Sequence, residues 1–90
     1  MKYVMTYRAV AGFMPLAQQH HPAHAARVEE FAGRGDLLMV GTFDEPMDGA
    51  AMGVFTTREA AEEFIAGDPF VVNGVVAGWT VRPWHEVLRP

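Results

Sequence analysis

The sequence predicts an α+β fold with its elements in the order β-α-β-β-α-β. Three observations lead there: segments of two-residue alternation, two stretches with apolar residues at helical spacing, and glycine- or proline-bearing breaks between them. At 90 residues there is room for one domain and one core, and such a small core is marginal by itself.

Lys2 to Arg8 alternate, with Tyr3, Met5 and Tyr7 on one face and Val4 and Thr6 on the other, which reads as a strand. Ala9 to Pro15 carries Gly12 and Pro15 and reads as a loop. From Leu16 or Pro22 to Arg34 the period changes, and Ala17, His21, His24, Val28 and Phe31 form one helical stripe. Gly33 and Gly35 supply the stop. Leu37 to Val40 is an uninterrupted apolar run, expected as a strand buried on both faces. Asp44 to Gly49 has turn chemistry, and Ala50 to Phe55 is expected to form a hairpin with the preceding strand. Thr56 and Glu59 have capping-box spacing for a helix that closes at Gly67. Pro69 forces Asp68 out of helical geometry. Val75 to Val81 is the last strand, followed by a tail with Trp84, His85 and Leu88.

That order is the ferredoxin-like split βαβ motif, a four-stranded antiparallel sheet with two helices on one face. Nothing within the chain covers the other face. Tyr3, Met5, Tyr7, Trp79 and Trp84 are expected there, and such a patch is too apolar for water. A homodimer formed sheet to sheet is the simplest remedy.

Composition narrows the function. Half the residues are hydrophobic, and 7 Lys+Arg stand against 11 Asp+Glu for a net charge of −4 with no basic run. Nucleic acid and anionic membranes are therefore not expected partners. The absence of cysteine removes thiolate chemistry and disulfides. With no membrane-length apolar stretch and no signal-peptide pattern, a soluble cytoplasmic protein is expected. No Ser-His-Asp ordering, phosphate-binding glycine loop or dinucleotide fingerprint is present, so no cofactor is expected.

Chemistry concentrates at His20-His21-Pro22-Ala23-His24. Two histidines a helical turn apart could share a metal, but no carboxylate lies in the same turn and Pro22 stands between them. Solvated loop histidines account for His20 and His21. His24 shares the stripe of Val28 and Phe31 and should point at the sheet. With Pro22 at the first helical position, the helix dipole would keep its ring neutral and suited to general-base work; a single bond to a backbone carbonyl is the plain alternative. Asp68 is a turn-former or the orienting partner of an imidazole. Tyr7 and Arg8 end the first strand where they could face a cleft. Asp36, Asp44, Glu45 and Asp48 read as solvated turn residues.

Several segments resemble the YCII-related (YciI-like) domain family over nearly the whole chain. They are Tyr3 to Tyr7, the His-Pro-Ala-His segment ending at His24, Leu37 to Gly41, Ala60-Ala61-Glu62-Glu63-Phe64, Asp68-Pro69-Phe70, Gly74-Val75 and Trp79 to Trp84. The resemblance implies a ferredoxin-like α+β fold that dimerises through its sheets in the manner of muconolactone-isomerase-like proteins. It also implies a His-Asp site, falling here on His24 and Asp68. One branch of the family acts on chlorinated hydroxyquinols as a cofactor-independent dehydrochlorinase. Many members carry acidic residues where this chain has Arg8-Ala9-Val10, a loop that bears on substrate identity. The expected function is thus acid/base chemistry of lyase or isomerase type on a small, aromatic or enol-like substrate. His24 is the base, Asp68 its partner, and Tyr7 and Arg8 orient the substrate. The alternatives are a non-catalytic ligand-binding or assembly module with its pocket at the dimer, and a metal-dependent enzyme.

Overall fold

The computed structural model describes residues 1–90. Its elements are β1 (Lys2–Ala9), α1 (Met14–Gly33), β2 (Leu37–Thr42), β3 (Ala51–Phe55), α2 (Arg58–Gly67), α3 (Pro69–Val72) and β4 (Val76–Trp84). The strands form one antiparallel sheet in the order β2-β3-β1-β4, the ferredoxin-like arrangement expected. The added element is α3, a single turn inside the segment read as Asp-Pro-Phe turn chemistry.

Helix α1 is longer than its periodicity suggested. It starts at Met14, holds Pro15 in its first turn where a missing N–H costs nothing, and continues through Pro22. Pro22 removes the backbone bond to the Gln18 carbonyl. The helix persists because residues on both sides of that point are held against the rest of the fold, from Ala17 at the sheet-facing cavity to Phe31 in the core. His24 therefore lies near the middle of α1, and the expected influence of the helix N-terminus on its ring does not apply. In α2 the cap is Thr57 rather than Thr56: its hydroxyl accepts from the Ala60 N–H at 3.0 Å. Glu59 then sits in the first turn, where its charge suits the dipole.

The core lies between the helices and one sheet face. Met5 and Tyr7 of β1, Leu37 of β2 and Phe55 of β3 meet Phe31 of α1 and Ala61, Phe64 and Ile65 of α2. Phe64 is the hub, edge-on to Phe31 at 5.3 Å and tilted against Phe55 at 5.5 Å between ring centroids. Two expectations are corrected here. Tyr3, Met5, Tyr7 and Trp79 lie on the helix side, not the open side: β1 pairs Met5 with Gly53 and Val81, and Tyr7 with Trp79, in the layer of the buried core residues. The open face carries instead Val4, Thr6, Met52, Val54, Arg82 and Trp84. Alternation divides a strand into two sets, but which set is covered depends on where the helices cross. Likewise β2 is an edge strand: Leu37 is buried, whereas Met39 is 69% exposed. An apolar run identifies a strand, while strand order decides its burial. No helix is long and apolar enough to cross a membrane.

Candidate functional site

Beneath the first half of α1 the helix and sheet do not close on each other. A cavity of about 320 Å³ remains, walled by Tyr7, Phe13, His21, His24, Phe43 and Phe70 among others. Its far side belongs to the β2–β3 loop, brought in by Gly49. At φ +84° this glycine lies so close to β1 that a Cβ there would stand 2.5 Å from the Ala9 Cβ and 3.1 Å from the Phe13 ring. Gly49→Ala combines the left-handed penalty with overpacking, for a loss of about 2–4 kcal/mol. Denaturant unfolding, together with a solvent-exchange map of residues 43–50, checks it; an unchanged midpoint would contradict the close approach.

Asp68 organises the site. It is fully buried, between the end of α2 and the start of α3, and extended at φ −66°, ψ 121° because Pro69 follows. Its carboxylate accepts from three donors: His24 Nδ1 at 2.7 Å, the Tyr7 hydroxyl at 2.8 Å and the Phe70 N–H at 3.1 Å. A carboxylate out of water is tolerated only when it is so engaged. The His24 ring stacks flat on Phe70, with centroids 3.8 Å apart and planes 5° from parallel, and turns an edge to Phe64. Stacking and the Nδ1 bond together fix the ring in orientation and tautomer. Nε2 has no partner within the chain and is accessible.

Arg27, one turn beyond His24, does not enter the cavity. Its guanidinium donates to the carbonyls of Phe64 at 3.0 Å and Glu63 at 2.6 Å, neutralising the negative end of α2. Burial first, then the Asp68 charge, pushes the Tyr7 phenol far above its ordinary value near 10. A folded-state shift upward means stability is fully present below pH 10 and declines above it, where the unfolded chain releases the proton more readily. Tyr7→Phe should flatten that alkaline decline in denaturant titrations, and a slope equal to wild type would count against the buried hydroxyl.

The structure brings His24, Asp68 and Tyr7 together and leaves Arg8 apart. The Tyr7 hydroxyl, expected to orient a substrate, is taken up by Asp68. Arg8 points to the opposite sheet face, exposed, with its guanidinium over Gly78 of β4. The strand's alternation makes this unavoidable: neighbours Tyr7 and Arg8 cannot face one cleft. Two residues at the cavity have no functional role in the sequence reading. Phe70 contributes a stacked ring and a backbone donor, and its only signal was its place in Asp-Pro-Phe. His21 was read as solvated; it is exposed yet lines the cavity. No three His, Asp or Glu side chains gather as a metal-ligand set.

The sequence profile of the YCII-related domain matches residues 1–85. The chain belongs to the YCII-related domain family. Solved structures agree with that fold. The chain is similar to 5-chloro-2-hydroxyhydroquinone dehydrochlorinase of Burkholderia phenoliruptrix AC1100, solved in complex with 2,5-dihydroxybenzoquinone. The TM-score is 0.74 at 19% identity, covering 94% of each chain. It is also similar to protein Atu4242 of Agrobacterium tumefaciens, with a TM-score of 0.55 at 12% identity, covering 91% of this chain and 89% of that one. At these identities the likeness is one of fold. No curated protein sequence matches the chain. For a YCII-related domain, the site above is the one place where titratable side chains, a buried carboxylate and a cavity coincide.

Proposed function

We propose that this protein is a cofactor-independent acid/base enzyme acting on a small aromatic or enol-like molecule, with His24 as the general base. One observation carries the reading: His24 is bonded through Nδ1 to a buried carboxylate while Nε2 is left accessible at an apolar cavity. With Nδ1–H donating to Asp68, the Nε2 lone pair takes a proton from the substrate. The imidazolium so formed is stabilised by the Asp68 charge at 2.7 Å. Tyr7 and the Phe70 N–H hold that carboxylate in place, so nothing need reorganise when the charge appears. A single-ring substrate fits the cavity volume, and apolar walls strengthen the electrostatics by excluding water. The fold-level likeness to a dehydrochlorinase supports a reaction in which proton removal is coupled to loss of chloride. The C–H electron pair forms the new double bond, and the C–Cl pair leaves with the chloride.

The first test is anaerobic chloride release from 5-chloro-2-hydroxyhydroquinone, run beside calorimetric binding of 2,5-dihydroxybenzoquinone. Turnover above buffer supports the enzyme; binding without turnover assigns the cavity to a non-catalytic ligand-binding module instead. The open sheet face, where exposed Met52 and Trp84 stand beside half-buried Val4, supports a homodimer formed face to face. Sedimentation should then give twice the monomer mass, falling to the monomer in Met52→Arg. A monomeric wild type would refute the pairing.

A further inference from the structure

We propose that His21 is the second proton-transfer residue of this cavity, giving a proton to the substrate as His24 takes one. The inference rests on the reading of His24 as base and adds the acid that reading lacks. The titratable side chains at the cavity wall are Tyr7, His21 and His24. The Tyr7 proton is committed to Asp68, as is the Nδ1 proton of His24. Asp68 itself lies behind them with no exposed surface. No lysine, arginine, aspartate or glutamate lines the cavity. Besides His24, His21 is therefore the one titratable side chain at the cavity whose proton is not committed within the chain.

Its position suits that task. His21 precedes His24 by three residues on α1, which puts both rings on one face of the helix, a turn apart. It makes no hydrogen bond within the chain and is exposed at the cavity mouth, whereas His24 is half-buried with its tautomer held. Histidine takes up and gives back protons near neutral pH, so an exposed one recharges from water between turnovers. The β2–β3 loop that lines the far side of the cavity also carries Asp44, Glu45 and Asp48, none of them at the cavity wall; on α1, His20 is the chain neighbour, and the Arg27 guanidinium is spent on the carbonyls of Glu63 and Phe64.

The step balances. His24 Nε2 takes the proton alpha to a carbonyl, and the C–H electron pair becomes the C=C bond of an enol. The C=O π pair moves to oxygen, which takes the proton of the His21 imidazolium. His24 ends charged and His21 neutral, and exchange with water restores both. Chloride departs without needing a proton. A second acid is useful only where a proton is returned to the substrate, so the pair points to keto–enol proton shifts on a neutral aromatic ketone.

The test follows deuterium exchange at C1 of 2-tetralone in D₂O by NMR, as a function of pH, with the histidine ring signals recorded in parallel. The wild type should give a bell-shaped profile, and 2-tetralone should shift the rings of both His21 and His24. His21→Gln should lower the rate about 10²-fold and lose the alkaline limb, because no acid is left to deprotonate. His24→Gln should abolish the exchange. A His21→Gln rate within about twofold of wild type, with both limbs kept, overturns the role of His21 and leaves His24 standing. So does a shift at His24 with none at His21. Wild type that binds the ketone at both rings yet does not speed exchange, or that shows no shift at either, overturns both readings.

Discussion

Asp68→Ala is expected to cost about 3–5 kcal/mol, the largest stability loss from any one substitution at the site. The carboxylate is fully buried, and its removal strands the Tyr7 hydroxyl, the Phe70 N–H and the His24 Nδ1–H with no water to replace it. Against the roughly 5–15 kcal/mol typical of a whole domain, that is a fifth or more of the total. Urea unfolding reads it as a lowered midpoint. Asp68→Asn separates structure from chemistry, since it keeps the shape and one acceptor oxygen while removing the charge. It should fold, with a smaller loss than alanine, and still be catalytically poor because the amide cannot stabilise an imidazolium. Equal stability of Asp68→Ala and wild type would mean that the three bonds to Asp68 do not exist in solution.

His24→Ala is expected to lower turnover by about 10²–10⁴-fold with little change in ligand affinity. Its ring is one of many side chains that line the cavity, and the apolar residues Phe13, Phe43 and Phe70 remain to hold a ring-shaped ligand. Loss in kcat with KM nearly unchanged is the signature of a group that acts in the transition state. Affinity lost in parallel with rate would make His24 a binding residue and move the site towards a ligand-binding module. The two variants differ in what they disturb: the first removes the support beneath the imidazole, the second the imidazole alone.

Much of this was legible in the sequence, and the gaps have physical causes. Period-two alternation located β1, and the spacing of Ala17, His21, His24, Val28 and Phe31 located the sheet-facing stripe of α1, because such patterns record which side chains are shielded from water. The start of α1 was not legible. Pro22 is a plausible first helical residue, and only packing on both sides of it explains a helix that begins at Met14 and runs through. Nor could alternation tell the covered face of β1 from the open one, so Met5 and Tyr7 were set on the wrong side. At the site, residue type identified His24 and Asp68 separately. They meet across a separation of 44 residues along the chain, which no local pattern records and to which only the family resemblance points. Arg8 was misplaced by treating two adjacent strand residues as one surface. Phe70 had no polar signature to mark it, although it supplies both a stacking ring and a donor.

General-base action by His24 requires a neutral ring whose proton sits on Nδ1, donated to Asp68, and whose Nε2 is bare. Long-range ¹H–¹⁵N correlation spectra of the His24 ring near neutral pH report this directly. The expected result is a protonated Nδ1 and an unprotonated Nε2, with that pattern lost in Asp68→Ala, where no acceptor remains for Nδ1–H. A proton on Nε2 in the wild type, whether or not Nδ1 also carries one, would contradict it.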